Sequence, residues 1–537
     1  LVDVPTGLGK TAMAVLGWLW RRFHATEAIR EATPRRLVYC LPMRVLVEQT
    51  RDNAVLWLHN LGRLGGIGDF EGEDGKKRLS SYTPDFTDPA KITVHVLMGG
   101  EDETDWAMWP EREAILIGTQ DMLLSRALNR GYAAGRARWP MEFGLLHNDC
   151  LWVFDEIQLM GPSLATTAQL EGFRYLLDSK EGLACRSVWM SATMQRNWLK
   201  TVNFDPESLG KPLTLSEEDV KNDGLRKRWE ARKLLKSTGA STGDADRLAE
   251  QIREVHKPGT RTIVIVNTVR RASDLCAMIA RKWGSENDQR LILLHSRFRP
   301  GDRDRAVQEA LADPPAKGTI VISTQVIEAG VDVSATTLFV EVAPWASLVQ
   351  RFGRCNRKGE DNDQAVVHLI SLPDEETFKR LCPQRTKGKD GQPKSAKQIA
   401  EAHQDYLHVL SRPYEHDDLK EAARNLKKLT DVGLRSLPNV NLLFKHVHVI
   451  RKKDLIDLFD TTPDLTGNDI DIDRFIRDVE ETDVRVFWRT WEQPHKNDPP
   501  PDDEPAPWRD ELCPAPVGEF RDFAKKQRGK VWRWDFL

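Results

Sequence analysis

Residues 4–11 have the composition of a loop that binds the phosphates of a nucleotide. They read Val4-Pro5-Thr6-Gly7-Leu8-Gly9-Lys10-Thr11, between a short apolar run and an apolar helical segment. Glycines let backbone N–H groups surround a triphosphate, a lysine reaches its β and γ oxygens, and a hydroxyl can hold magnesium. We therefore expect residues 5–11 to bind ATP, with Lys10 catalytic and Thr11 a magnesium ligand. An ordinary glycine turn is the alternative.

Two adjacent carboxylates, Asp155 and Glu156, follow the apolar run at residues 151–154. They would emerge at the carboxyl end of a buried strand, where ligands collect in parallel sheets. Asp155 would complete the coordination of magnesium, and Glu156 would position and deprotonate the attacking water. Alone, such a pair is as often merely solvated. Together with the phosphate loop it indicates ATP hydrolysis.

A third set of candidate catalytic residues lies in the string Gln350-Arg351-Phe352-Gly353-Arg354-Cys355-Asn356-Arg357. Arg354 and Arg357 are three apart, so we expect them one helical turn apart, with both guanidinium groups facing a nucleotide held by another domain. Arginines placed in this way stabilise the charge on a transferred phosphoryl group. We assign them and Gln350 to catalysis. Two exposed helix arginines are the alternative.

Further polar residues follow other apolar runs. Gly330 and Asp332 are expected near the nucleotide ribose or in an arginine network. Residues 191–193 resemble a helicase motif that links the nucleotide state to nucleic acid, and this resemblance implies a coupling role for Gln158, Ser191 and Thr193. The expected nucleic-acid contacts are Arg44, Thr119, Gln120, Asn267, Ser296, Arg297, Thr324 and Gln325. For Thr119 a helix cap is an equal alternative. Contacts to phosphates alone would give sequence-tolerant, salt-sensitive binding.

The elements that must position these residues are predicted by short apolar runs alternating with amphipathic segments. The strand candidates are residues 37–41, 114–117, 151–154, 187–190, 262–266, 291–294, 319–322 and 365–368. This alternation is typical of an α/β fold, here two tandem RecA-like parallel-sheet domains at 1–204 and 247–375. We expect a connector at 205–246 and a basic linker at 376–398. A mostly helical C-terminal region should follow at 399–537, with a disordered acidic, proline-rich segment near 497–507.

Composition limits the function classes. The net charge is −3 over 537 residues, so any nucleic-acid surface must be a local groove. The seven cysteines form no CxxC pair, which argues against a disulfide framework or a zinc module. Without a long apolar stretch or a signal peptide, we expect a soluble, cytoplasmic monomer without membrane association. The chain starts at the end of a strand, so we expect truncation there and also at the C-terminus.

Several strings resemble one family, the CRISPR-associated helicase-nuclease of type I interference systems, within helicase superfamily 2. They are His295-Ser296-Arg297-Phe298 with Asp302-Arg303, residues 323–333, and residues 343–350 leading into Arg354 and Arg357. The resemblance spans residues 1–372. It implies an ATP- and Mg²⁺-dependent motor that unwinds in the 3′ to 5′ direction on single-stranded DNA, with RNA not excluded. It also implies recruitment by a guide-RNA surveillance complex in antiviral defence.

Two departures from the family are visible. Gln158 stands where the family commonly has a histidine, and an HD nuclease is not evident. His416-Asp417 is the one His-Asp pair, but its neighbourhood favours an ordinary helix start over a metal site. A nuclease could lie on sequence beyond this chain.

Two rival functions remain open. One is a general DNA-repair or RNA helicase, and the other is a nucleotide-gated clamp without turnover. The intact set of Lys10, Glu156, Arg354 and Arg357 favours hydrolysis.

Overall fold

The computed structural model describes residues 1–5, 7–71, 78–99, 105–177, 185–283, 290–328, 331–387, 392–427, 448–460, 470–477, 483–489 and 505–526. The chain forms two compact units. The first domain contains Leu1–Arg226 and Asn439–Val479, and the second contains Lys227–Pro438 and Glu480–Leu537.

The described regular elements are sixteen strands and seventeen α-helices. The strands are β1 (Val2–Asp3), β2 (Arg36–Leu41), β3 (Gly66–Glu71), β4 (Arg78–Pro84), β5 (Thr93–Leu97), β6 (Ala114–Thr119), β7 (Cys150–Phe154), β8 (Cys185–Ser191), β9 (Leu234–Ser241), β10 (Arg261–Ile265), β11 (Arg290–Leu294), β12 (Thr319–Ser323), β13 (Thr337–Glu341), β14 (Val366–Ser371), β15 (Asp483–Val486) and β16 (Cys513–Pro516). The helices are α1 (Lys10–Phe23), α2 (Glu27–Ala32), α3 (Arg44–Asn60), α4 (Gln120–Ala127), α5 (Trp139–His147), α6 (Ser163–Leu177), α7 (Asp223–Trp229), α8 (Ala245–Val255), α9 (Val269–Trp283), α10 (Pro300–Leu311), α11 (Trp345–Phe352), α12 (Glu375–Leu381), α13 (Ala396–Ser411), α14 (His416–Lys427), α15 (Lys452–Asp457), α16 (Asp473–Ile476) and α17 (Val517–Lys526).

The first domain is built on a six-stranded sheet in the order β1-β8-β7-β2-β6-β5, with every neighbouring pair parallel. Successive side chains of a strand point to opposite faces, so each strand feeds two cores. In β2, Val38 packs into the core that contains Trp152, whereas Leu37 and Tyr39 pack into the core that contains Val153. Burial on both faces explains the continuous apolar runs in the sequence.

The second domain has its own six-stranded sheet in the order β11-β12-β10-β13-β14-β9, again with parallel neighbours. The eight predicted strands all form, four in each sheet. The predicted fold class, two tandem parallel-sheet α/β domains, is therefore confirmed. In both sheets the polar residues that follow the strands gather at the carboxyl edge, where ligands of such folds bind.

The connector predicted at 205–246 is wrong for part of its length. Residues Leu234–Ser241 form β9, which pairs with β14 at the edge of the second sheet. Only Ala240 of this strand is buried. An edge strand needs no continuous apolar run, and for this reason the sequence looked like a linker. The start of the predicted basic linker also has regular structure, because α12 spans Glu375–Leu381.

The C-terminal region is divided between the two domains instead of forming one helical extension. Residues 439–479 belong to the first domain, and residues 480–537 belong to the second. The predicted acidic, proline-rich segment near 497–507 lies outside the described residues except for its last three. No helix among the residues that the structure describes is both long and apolar enough to cross a membrane.

Candidate active site

The predicted phosphate loop connects β1 to α1 in the first domain. Gly7 and Gly9 adopt φ values of 81° and 85°, which L side chains rarely tolerate, so the loop depends on glycine at these positions. Gly9 is the N-cap of α1, and neither a side-chain cap nor an acidic residue occupies the first turn of this helix. The N–H groups of that turn therefore form an anion-binding end. Thr6 lies outside the described residues.

Lys10, the first residue of α1, is only 7% exposed. Its Nζ is 3.4 Å from Glu156 Oε1, which makes an ion pair, but it has no hydrogen-bond partner among the described residues. Burial lowers the pKa of Lys10, but the carboxylates of Glu156, Asp155 and Asp3 outweigh that effect and raise it above its usual value. The ammonium is therefore charged, buried and short of acceptors, as a phosphate-binding lysine must be.

Asp155 follows β7 and is 4% exposed. The Tyr39 hydroxyl of β2 donates to Asp155 Oδ2 at 2.8 Å and is also hydrogen-bonded to Thr11. The Glu156 N–H donates to Asp155 Oδ1 at 2.8 Å. Burial raises the pKa of Asp155, and the nearby Lys10 charge works against that rise. Tyr39 thus connects the two residues predicted to bind magnesium.

Glu156 is held by a chain of polar side chains that includes the predicted coupling residues. Gln158 Nε2 donates to Glu156 Oε2 at 2.5 Å, and the Ser191 hydroxyl donates to Gln158 Oε1 at 2.7 Å. The Thr193 N–H in turn donates to Ser191 Oγ at 2.9 Å. Glu156 itself has φ 51°, an unusual backbone conformation for a residue with a side chain. Strain of this kind concentrates at functional sites.

The residues present fit a magnesium–triphosphate complex. The buried Lys10 ammonium and a helix N-terminus without a side-chain cap suit the phosphates, and Leu8 lies between the two glycines that shape the loop. Thr11 and Asp155 supply the oxygen ligands that magnesium prefers, and Pro5 lies between β1 and the glycines of the loop. The predicted nucleotide residues of the first domain that the structure describes therefore come together at one edge of the first sheet.

In the second domain, Arg354 and Arg357 do not lie on a helical turn as predicted, because α11 ends at Phe352. Arg354 is buried, and its Nε and Nη2 donate to the carbonyl oxygens of Ile327 and Glu328 at 2.8 and 2.6 Å. Arg357 Nε is 2.6 Å from Asp332 Oδ1. Both side chains therefore bond residues that follow β12, and the Arg357–Asp332 pair fits the arginine alternative for Asp332; a contact of Asp332 with the nucleotide stays a prediction. Gln350 is buried on α11, and Gly330 lies outside the described residues.

Arg351, which the sequence analysis did not single out, is a fully buried centre of this domain. Its Nε donates to Glu328 Oε1 at 2.7 Å, and its Nη1 donates to Asn267 Oδ1 and to the Glu341 carbonyl at 2.9 Å each. Three buried acceptors, which lie after β12, after β10 and at the end of β13, are thereby joined to α11. The position of Arg351 between Gln350 and Arg354 in the sequence gives no local signal of this role.

The nucleic-acid contacts predicted in the first domain lie at strand-to-helix junctions. Arg44 begins α3, and Thr119 ends β6 at the N-cap of α4. The Thr119 side chain makes no cap hydrogen bond, so the structure does not support the simple-cap alternative. The Gln120 Oε1 atom is buried without a hydrogen bond among the described residues. Phosphate binding by these three residues stays a prediction.

Among the contacts predicted in the second domain, Asn267 needs correction. Its side chain is buried, accepting from Arg351 and donating to the Val342 carbonyl at 2.8 Å. A side-chain amide engaged in this way is part of the core, not a nucleic-acid contact. Ser296 is exposed and Thr324 is buried.

Arg297 and Gln325, also predicted to contact nucleic acid, bond residues of their own domain. Arg297 Nη1 pairs with Glu519 Oε2 of α17 at 2.5 Å. The Gln325 amide donates to the Asn267 carbonyl at 2.9 Å.

The His-Asp pair weighed in the sequence is a helix start. His416 is the first residue of α14, and its Nδ1 is 2.8 Å from the Ser411 hydroxyl. Asp417 is paired with Lys420 at 3.6 Å, one turn along. Within the described ranges, no group of three or more His, Cys, Asp or Glu side chains could hold a metal ion.

Two protein-family models match this chain. A model of DEAD/DEAH box helicases matches residues 1–202, and a model of the C-terminal part of the CRISPR-associated nuclease/helicase Cas3 matches residues 258–360. The two matches fall in the first and second domain respectively. They cover the phosphate loop, the Asp155–Glu156 pair and the arginine-containing string.

Curated relatives match most of the chain. A CRISPR-associated helicase Cas3 of Thermoproteus tenax is 26% identical over 396 residues, which are 72% of this chain and 58% of the relative. A putative CRISPR-associated nuclease/helicase Cas3 of Methanocaldococcus jannaschii is 26% identical over 454 residues, 83% of this chain and 54% of the relative. The chain thus spans about half the length of these relatives. A crystal structure of T. fusca Cas3 with AMPPNP is similar with a TM-score of 0.48 and 17% identity, covering 81% of this chain and 52% of that one.

Proposed function

We propose that this chain is a Cas3-like helicase of superfamily 2, an ATP-driven motor that moves along single-stranded DNA. The two family models, which match one domain each, and the curated Cas3 relatives, which match most of the chain, support this proposal. We further propose that a guide-RNA surveillance complex recruits it to the displaced strand during antiviral interference. Both the DNA substrate and the partner follow from the family.

The observation that carries the proposal is the buried polar chain around Lys10. This ammonium is 3.4 Å from Glu156, whose carboxylate is bound by Gln158, and Gln158 in turn accepts from Ser191. A phosphate-binding lysine and a water-activating carboxylate are thus in direct contact with each other. A γ-phosphate would offer Lys10 a stronger anionic partner and would release Glu156 to act on water.

The remaining first-domain residues have assignable roles. Thr11 and Asp155 would hold Mg²⁺, which supplies charge neutralisation for the phosphate oxygens when bound. Tyr39 donates to Asp155 and keeps that carboxylate oriented toward the loop. Glu156 takes a proton from the attacking water, and the Gln158–Ser191–Thr193 chain carries a change at Glu156 to the end of β8. We propose that this chain couples hydrolysis to nucleic-acid binding.

In the second domain, Arg354 and Arg357 are proposed to stabilise charge that develops on the transferred phosphoryl group. Their anchoring to the 327–332 segment supports this role, because preorganised donors lose little entropy when the reaction occurs. Gln350, on the preceding helix α11, is assigned to the γ-phosphate side.

The deciding experiment measures ATP hydrolysis with Glu156→Gln. Loss of the general base should lower kcat by about 100- to 10,000-fold, while ATP binding persists because Lys10 and the loop are intact. The matched control is Glu207→Gln, whose carboxylate forms an exposed ion pair with Arg196 in the same domain. Its kcat should equal that of the unchanged protein.

The same assay distinguishes the rival functions. Single-stranded DNA should stimulate hydrolysis more than RNA of the same length and sequence. Stronger stimulation by RNA would favour a general RNA helicase. If the chain bound nucleotide but hydrolysed none with either nucleic acid, the nucleotide-gated clamp would be favoured and the motor function contradicted.

A further inference from the structure

A tyrosine from the helical C-terminal part of the second domain reaches the centre of the arginine network. Tyr414 lies between α13 and α14 and is mostly buried. Its hydroxyl is 3.3 Å from Arg351 Nη2 and 3.3 Å from Gln325 Nε2, both of which donate to it. The phenol oxygen of Tyr414 thereby joins Arg351 of α11 to Gln325.

The Arg351 guanidinium has no exposed surface, so every donor needs an acceptor or a large desolvation penalty remains. Glu328 balances its charge at 2.7 Å, but the Nη2 group also points at Tyr414. The backbone carbonyl of the same Glu328 accepts from Arg354 at 2.6 Å. A displacement of Arg351 would therefore move Glu328 and, through it, Arg354.

A second contact attaches the same helical part to the same edge of the sheet. Arg271 of α9 donates to Glu341 Oε1 at 2.8 Å and to the Leu410 carbonyl near the end of α13 at 2.6 Å. The Glu341 carboxylate also accepts a hydrogen bond from the Asn267 N–H, and the Glu341 backbone carbonyl accepts one from Arg351. The end of α13 and Tyr414 are thus bound at two points beside the arginine network.

We propose that Tyr414 is a positioning residue for ATP hydrolysis, which fixes Arg351 and Gln325 so that Arg354 holds its productive arrangement. The inference rests on the proposed motor function and deepens it, because it gives the region after residue 395 a role in the catalytic step. Burial raises the pKa of the Tyr414 phenol, so the hydroxyl keeps its proton throughout the physiological range.

The test is Tyr414→Phe in the 537-residue chain, with hydrolysis measured at saturating single-stranded DNA. Removal of a hydrogen bond to a buried charged group should lower kcat by about 10-fold. The KM for ATP should change by less than about 2-fold, because nucleotide binding depends on the loop of the first domain. A variant that acts only on folding would instead lower the Tm and leave kcat of the folded fraction intact.

The matched control is Tyr406→Phe, which removes a hydroxyl from the preceding helix, α13, next to Gly243 and away from Arg351. Its kcat should stay within about 2-fold of the unchanged protein. Tyr414→Phe with an unchanged kcat, or equal losses in both variants, would overturn the positioning role. Absence of hydrolysis in the unchanged chain would instead reject the motor function on which the role depends.

Discussion

Asp155 shows how a catalytic carboxylate can lower the stability of the fold that holds it. Its side chain is buried, and burial raises its pKa above the ordinary value for aspartate. The folded chain therefore binds this proton more tightly than the unfolded chain does. Between the ordinary pKa and the raised pKa, stability falls as the pH rises, and above the raised pKa the full penalty is present.

We expect Asp155→Asn to increase the stability of the first domain while it removes activity. Asparagine keeps an oxygen that can accept from Tyr39 but carries no charge to desolvate. Without Mg²⁺ at pH 8, the Tm should rise by about 2–6 °C. Calorimetry at pH 8 and pH 5 checks this prediction.

At pH 5 the difference in Tm should shrink, because the wild-type carboxyl is then largely protonated. Saturating Mg²⁺ should also remove the advantage of the variant, since the ion stabilises only the protein with aspartate. A lower Tm for Asp155→Asn at pH 8 would mean that the attraction between Asp155 and the nearby Lys10 charge outweighs the desolvation of Asp155.

At the scale of the elements, helix α6 connects the first sheet to the returning C-terminal segment. Ser163 and Thr166 donate to the carbonyls of Ile476 and Phe475 at 2.7 and 2.6 Å, and Gln169 donates to the Ile450 carbonyl at 2.7 Å. One turn further on, Gly172 lies against residue 203: an added Cβ would be 2.4 Å from the Asn203 carbonyl oxygen. The helix is therefore in close contact with two other parts of the chain.

Gly172→Ala should destabilise the first domain by about 1–3 kcal/mol, because backbone atoms must move to admit the methyl group. The measurement is chemical denaturation followed by the tryptophan fluorescence of this domain. The matched control is Gly144→Ala in α5, where a Cβ meets nothing within 4 Å. That change should stabilise by about 0.5–1 kcal/mol, as alanine favours a helix interior. If both variants changed the free energy of unfolding by the same amount and in the same direction, the close contact of Gly172 with residue 203 would be contradicted.

Burial decides only part of which elements the sequence predicts. All eight expected strands form, because their continuous apolar runs stand out, but the buried strands β5 and β13 were not among them. The edge strand β9 is largely exposed and was missed. The helical placement of Arg354 and Arg357 was wrong, because spacing alone cannot reveal that α11 stops at Phe352.

The candidate site divides in the same way. Lys10, Asp155 and Glu156 are recognisable because their roles follow from local spacing beside a strand end. Tyr39, Arg351 and Tyr414 act through partners far along the chain: Tyr39 is 116 residues from Asp155, and Tyr414 is 63 residues from Arg351. Local sequence patterns cannot predict contacts between residues so far apart in the chain, because only the fold brings these residues together.

At the scale of the whole molecule, each domain is built from two separate segments of the chain. After it forms most of the second domain, residues 439–479 return to the first, and residues 480–537 return to the second. The returning segment buries large apolar side chains in the first-domain core, and these are Ile450, Leu455, Leu458, Ile472, Phe475 and Ile476. Asn129 and Arg130 of the first domain donate to its Leu458 carbonyl. The family-matched helicase region 1–202 is therefore completed by sequence far from it.

A chain that ends at Lys427 should accordingly fail to maintain the first domain. Six buried side chains at about 1.5–3 kcal/mol each amount to about 9–18 kcal/mol, comparable to the full stability of a domain. The control is a chain that ends at Val479, which keeps every first-domain residue. Hydrogen exchange of the α4 and α6 amides provides the measurement, with fast exchange expected for the shorter chain and native protection for the control. Equal protection of α6 in both chains would show that the first domain folds without residues 439–479. These residues would then not be needed for the stability of the first domain.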